Sequence, residues 1–110
     1  DDMRESPSLD LVPSLVENVN EIKVYDPVAM DEASKYIKDV YFADNIEDCI
    51  KNVDVTIILT EWSEFRTLSA HFLSKFMRGN IVVDFRNALN PENFLNKNFT
   101  LHQVGRGPFN

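Results

Sequence analysis

A chain of 110 residues, 44% of them hydrophobic, has enough material for one buried core and the composition of an ordinary globular protein. Its formal net charge of −7 excludes the basic field that counterion-releasing nucleic-acid binding requires, and no apolar run approaches the roughly 20 residues of a membrane helix. A single cysteine, Cys49, excludes an internal disulfide framework and suits a reducing compartment, so the expectation is a soluble, cytoplasmic domain with neither nucleic acid nor membrane as partner.

In chain order, Ser6 fits a helix N-cap and Pro7 the first helical position, where its missing N–H costs nothing. Leu9, Val12, Leu15, Val16 and Val19 continue at helical spacing, so residues 6–19 read as an amphipathic helix that Pro13 kinks or starts late. A loop that runs into a helix with no strand before it opens the chain inside a βα unit. Residues 21–25 alternate as a strand that Asp26-Pro27 stops, and 29–37 read as a helix. Val40-Tyr41-Phe42 is a short strand, and 45–51 a short helix with Ile46, Cys49 and Ile50 on one face. Residues 54–59 are apolar along most of their length, which predicts a central strand buried on both faces. A helix over 69–77, a strand over 81–84, a short helix over 91–95 and a final strand over 99–104 complete the pattern.

Such alternation specifies an α/β fold, a Rossmann-like open parallel sheet with helices on both faces. In the doubly wound order its first, central strand is missing from the chain and belongs between residues 22–25 and 54–59. A sheet without that strand must close the gap, borrow a strand from elsewhere or expose two unpaired edges, so a chain extended upstream by one strand is expected to melt higher. No Gly/Ser-rich or Pro-rich linker divides residues 1–110, which read as one domain.

Open parallel sheets bind ligands outside the carboxyl ends of their strands. Asp1 to Glu5, Asp26-Pro27, Thr60-Glu61-Trp62, Arg86-Asn87 and Gly105-Arg106-Gly107 all fall at that edge. Five arginines, Arg4, Arg66, Arg78, Arg86 and Arg106, are the candidates for an anionic ligand such as a nucleoside diphosphate. Arg86 comes first, because a guanidinium just beyond a buried strand and beside an amide can fork onto a phosphate, a ribose or a base carbonyl. The competing reading has Arg86 pairing with Asp84 or a loop carbonyl to hold the turn. For Arg4 the competing reading is a solvated charge or a partner of Glu5. Cys49, between Ile46 and Ile50, reads as core packing. His71 and His102 are too far apart in sequence to suggest a metal site, and with Gly79, Gly105 and Gly107 as the only glycines no G-x-G-x-x-G dinucleotide fingerprint exists.

Three segments, Asp1-Asp2-Met3-Arg4-Glu5-Ser6-Pro7-Ser8, Leu59-Thr60-Glu61-Trp62 and Asp84-Phe85-Arg86-Asn87, together resemble the C-terminal nucleotide-sugar-binding domain of the UDP-glucose/GDP-mannose dehydrogenase family. The resemblance spans nearly the whole chain, and the wording of the first two segments favours the branch that acts on UDP-glucose. It implies a piece of a larger NAD-dependent enzyme that oxidises UDP-glucose to UDP-glucuronate in two steps through a cysteine-bound intermediate. UDP-N-acetylmannosamine and GDP-mannose are the alternative substrates. Arg86 matches the arginine of the family's Asp-x-Arg motif, which contacts the UDP-sugar, with Phe85 standing where the family usually has glycine. Arg4 matches the arginine that reaches across the domain interface toward NAD. The catalytic cysteine and lysine and the dinucleotide loop would lie in the other half of the enzyme, through whose linking helix members form homo-oligomers. A non-catalytic α/β interaction domain is the rival from a different class, since fold alone does not decide function.

Overall fold

The computed structural model describes residues 21–25, 40–60 and 63–110. The chain divides into two compact units, Asp1–Cys49 and Ile50–Asn110. The expected helices over 6–19 and 29–37, the Asp26-Pro27 stop and the Glu61-Trp62 pair lie outside the described residues.

In the first unit β1 (Lys23–Val24) and β2 (Tyr41–Phe42) pair in parallel, Lys23 opposite Tyr41 and Val24 opposite Phe42. The ladder extends one residue each way, with Tyr41 N–H donating to Ile22 O at 2.9 Å and Ala43 N–H to Val24 O at 2.8 Å. Helix α1 (Ile46–Ile50) follows, capped by Asn45, whose Oδ1 accepts from Asp48 N–H at 2.7 Å. Asp48 also accepts from the Tyr41 hydroxyl at 2.7 Å, which ties the helix start to β2 and raises the Tyr41 phenol above its ordinary range. Cys49 is a half-buried free thiol, pushed up to about 11 by burial. The folded protein should therefore alkylate with iodoacetamide slowly at pH 8 and faster only as the pH approaches that value. Equal rates for folded and guanidinium-unfolded protein at pH 8 would contradict the burial.

The second unit is built on a four-stranded sheet in the order β3 (Val55–Ile58), β4 (Ile81–Asp84), β5 (Thr100–Gln103) and β6 (Arg106–Phe109). The first three strands are parallel and in register, Ile58 opposite Asp84 and Asp84 opposite Gln103. Parallel neighbours need crossover connections. One runs through a 3-10 helix, Ser63–Thr67, and helix α2 (Ala70–Ser74), whose N-cap Ser69 accepts from Phe72 N–H at 3.1 Å. The other runs through a 3-10 helix, Pro91–Asn93, where Asn90 accepts from Glu92 N–H at 3.1 Å. Leu73, Val82, Phe94 and Leu101 are fully buried and form the centre of the core, with Phe94 and Phe99 edge to face at 6.2 Å.

This is the α/β, Rossmann-like alternation expected, with two differences. Residues 54–59 are not buried on both faces: Ile58 is buried, but Val55 is 42% exposed. Among the described residues β3 is the edge strand of its sheet, and the strands alternate, Val82 and Asp84 turned inward against exposed Ile81. The connection between β1 and β2, through residues 26–39, lies outside the described residues, as does any helix it would lay on the second face. The chain also does not end in a strand and loop. After β5, Val104-Gly105 turns the backbone tightly, Gly105 at φ 70° and Gly107 at φ 77°, and 106–109 return antiparallel as β6. No described ladder joins β1 or β2 to β3. Among the described residues no helix is long and apolar enough to cross a membrane.

Gly79 is fixed by crowding. Arg78 N–H and Gly79 N–H both donate to Val53 O at 2.9 Å, and a Cβ on Gly79 would run into the Asp54 carbonyl. The Arg78 guanidinium forks onto the Asp54 carboxylate, two contacts of 2.8 Å, and holds that carboxyl below its usual range. Gly79→Ala should cost about 1–3 kcal/mol of stability, read as a lowered midpoint in urea, because backbone cannot move aside as a side chain can.

Candidate functional site

At the carboxyl end of β4 a buried carboxyl group organises the loop. Asp84 is 0% exposed. Phe85 N–H still donates to Ile58 O at 2.9 Å, so β4 stays paired to β3 one residue beyond Asp84. Asp84 Oδ1 then accepts from Arg86 N–H at 3.0 Å, a bond from a side chain to the backbone two residues on that bends the chain out of the sheet. Oδ2 accepts from Leu89 N–H and from Gln103 Nε2, each at 2.9 Å, and Gln103 Nε2 also donates to Leu89 O at 2.9 Å. Residues 84–89 are thus wrapped around one side chain and tied to β5. Gln103 Oε1 is buried without a hydrogen-bond partner among the described residues.

A second bond pair fixes the loop from outside. Asn87 sits at φ 52°, a left-handed conformation that asparagine tolerates better than most residues. Its Oδ1 accepts from Val104 N–H at 3.0 Å and its Nδ2 donates to Val104 O at 3.2 Å, imitating a strand partner for the residue at the hairpin turn.

Arg86 is exposed on this loop, at the carboxyl rim where the sequence puts it. Its backbone N–H, not its guanidinium, bonds Asp84, and among the described residues no hydrogen bond or ion pair engages the guanidinium. The competing role, a side-chain pair with Asp84 that holds the turn, is therefore not the arrangement found. Of the other arginines, Arg78 is committed to Asp54 at the amino ends of the strands, and Arg66 lies in the Ser63–Thr67 turn after β3. Arg106 opens β6, directly opposite Gln103. Arg4, Glu61 and Trp62 lie outside the described residues. The structure brings together Arg86, Asn87, the Val104-Gly105 turn and Arg106; it gives Asp84, read from sequence only as a partner for the Arg86 side chain, the role of organising the loop, and it adds Gln103, which sequence reasoning missed. An Asp closing an apolar strand two residues before an exposed arginine was the available signal for Asp84; nothing local marks Gln103.

Among the described residues no group of three or more His, Cys, Asp and Glu could hold a metal ion. Nor do they fit a dinucleotide pyrophosphate, which needs glycines at a strand-to-helix turn. Gly79 packs against Asp54 before β4, while Gly105 and Gly107 shape the β5–β6 hairpin.

Exchanging one Asp84 oxygen for an amide NH2 would set a donor against backbone or side-chain N–H. Asp84→Asn should destabilise the protein by about 1–3 kcal/mol and speed hydrogen exchange at Leu89 N–H. Wild-type exchange there would contradict the network.

The profile of the UDP-glucose/GDP-mannose dehydrogenase family, UDP binding domain, matches residues 1–91. A UDP-glucose 6-dehydrogenase of Rickettsia conorii is 34% identical over 107 residues, covering 96% of this chain and 25% of its own length. A UDP-N-acetyl-D-mannosamine dehydrogenase of Methanococcus aeolicus is 33% identical over 110 residues, covering 97% of this chain and 24% of its own length. The crystal structure of an NDP-N-acetyl-D-galactosaminuronic acid dehydrogenase from Methanosarcina mazei superposes with a TM-score of 0.75 at 25% identity, over 93% of this chain and 21% of that one. The chain spans about a quarter of the length of the curated relatives it matches.

Proposed function

The chain belongs to the UDP-glucose/GDP-mannose dehydrogenase family, UDP binding domain, and from that premise we propose that residues 1–110 are the C-terminal, UDP-sugar-binding domain of an NAD-dependent UDP-glucose 6-dehydrogenase. The whole enzyme would oxidise UDP-glucose to UDP-glucuronate in the cytoplasm as a homo-oligomer. The dinucleotide falls to the other half of that enzyme, with Arg4 reaching toward it across the cleft, since the described residues here do not suit its pyrophosphate.

One observation carries the reading: an exposed guanidinium, Arg86, stands on a loop whose backbone is locked by a buried carboxyl at the ligand-binding rim of a parallel sheet. A rigid loop holds a fork at fixed distance and angle, and so orients a planar or phosphate group without ordering it afresh for each ligand. The reacting alcohol of a sugar offers few handles, and binding energy taken from the nucleotide positions it. This chain's share of the chemistry is to grip and orient the nucleotide.

A second reading has a specific observation in its favour. The Methanococcus relative, named for UDP-N-acetyl-D-mannosamine, is 33% identical, against 34% for the Rickettsia enzyme named for UDP-glucose. The two sugars share the UDP, and the fork at Arg86 serves either.

Arg86→Ala in the full-length protein should raise the KM for the UDP-sugar about 10- to 100-fold, the loss expected for a charge-assisted contact, with a smaller change in kcat. An unchanged KM removes Arg86 from the site. Turnover of UDP-N-acetylmannosamine in preference to UDP-glucose by the wild type would establish the second reading. Failure of UDP-glucose, UDP-N-acetylmannosamine and GDP-mannose alike to bind would return the rival, an interaction domain.

A further inference from the structure

The functional reading puts one arginine, Arg86, on the UDP-sugar, but the clamp on its loop leads to another. Asn87, next to Arg86, is bonded through both side-chain polar atoms to the backbone of Val104. Val104 and Gly105 form the turn, and Arg106 follows at once as the first residue of β6. Asp84, Gln103 and Arg106 stand in one row across β4, β5 and β6. Two strand spacings separate the ends of that row, about 10 Å at the backbone. An arginine side chain extends well over half that distance, so guanidiniums from the two loops reach a common ligand beyond the sheet edge.

Both arginines are exposed, and among the described residues neither guanidinium takes a hydrogen bond or an ion pair. That is unusual company for this chain, in which 18 acidic residues face 11 basic ones. Arg78, by contrast, has its aspartate at 2.8 Å. Two guanidiniums at one rim with no partner among the described residues, spaced by hydrogen bonds and not by a flexible loop, suit a ligand carrying two adjacent negative groups.

We propose that Arg106 is the second cationic arm of the strand-end site, and that the Asn87–Val104 clamp sets its spacing from Arg86 so that the pair grips one diphosphate. Arg106 contacts the ligand; Asn87 is a positioning residue. The proposal rests on the reading that this rim takes a UDP-sugar, and it reaches past residue 91, where the family match ends.

The test compares UDP, UMP and uridine as competitive inhibitors of the full-length enzyme in the wild type and in Arg86→Ala, Arg106→Ala, Arg106→Lys and Asn87→Gly. Glycine keeps the left-handed backbone of position 87 while deleting both clamp bonds. Arg106→Ala should weaken UDP about tenfold or more, weaken UMP less and leave uridine unchanged, with Arg106→Lys between it and the wild type. Asn87→Gly should weaken UDP relative to uridine while the melting temperature stays near that of the wild type. Undiminished UDP affinity in Arg106→Ala, beside a weakened Arg86→Ala, overturns this inference and spares the functional reading. Undiminished affinity in Asn87→Gly overturns the clamp, and equal loss of UDP and uridine in Arg106→Ala shows a structural residue and overturns the contact. A wild type that UDP does not inhibit overturns the functional reading and this inference with it.

Discussion

The second unit depends on keeping the Asp84 carboxyl group inside the protein. A fully buried carboxyl is tolerated only where hydrogen bonds replace the water it loses. Asp84 meets that condition with three donors, from Arg86, Leu89 and Gln103. Two of the three are backbone groups of the segment that follows it, so satisfying the carboxyl and shaping the loop are the same event. The chain leaves β4, turns back within five residues to bring Leu89 N–H to Oδ2, and buries Leu89 at 2% exposure in doing so. Arg86 lies at the outer point of that turn and is left in solvent, on a backbone with little freedom.

Scarcity of glycine shapes the same rim. The three glycines serve a crowded turn before β4 and the β5–β6 hairpin. Asparagine takes the remaining left-handed positions among the described residues, at Asn52, Asn87, Asn96 and Asn98. At residue 87 this choice does more than allow the backbone angle, because a glycine there would turn equally well but could not bond Val104. One residue type thus supplies both the bend and the brace. The same economy leaves the described residues without a glycine-rich cradle.

Much of this was legible in the sequence, and the divide between what was and was not is physical. Strands and helix starts are local: the strand at 54–59 and the helices read as beginning at 45 and 69 declare themselves within a few residues, where β3, α1 and α2 are found. Arg86 could be placed on the rim because a parallel sheet fixes which end of each strand faces ligand. What failed needed partners distant in sequence. Gln103 reaches Asp84 across 19 positions, and Asn87 reaches Val104 across 17. No periodicity encodes such pairs. The apolar run at 54–59 predicted burial on both faces, but burial depends on what covers a strand, and Val55 is left exposed. The β6 return was hidden by Gly105-Arg106-Gly107, which reads as loop until the positive φ angles show a tight hairpin.

The acidic balance of the chain says how such a rim must work. A net charge of −7 repels a nucleoside diphosphate at long range, so this chain does nothing to draw the ligand in by its overall field. Physiological salt damps that repulsion beyond about 8 Å, which leaves contact-range geometry to decide whether the ligand stays. Rigid forks are the solution suited to that regime: their free energy comes from hydrogen bonds formed at fixed angles, and almost none of it is lost in ordering the loop that carries them. Affinity at such a site resides in slow release and not in fast capture. On the proposed reading, the hydrogen bonds around Asp84 and Asn87 would be as much a part of recognition as the guanidinium they present.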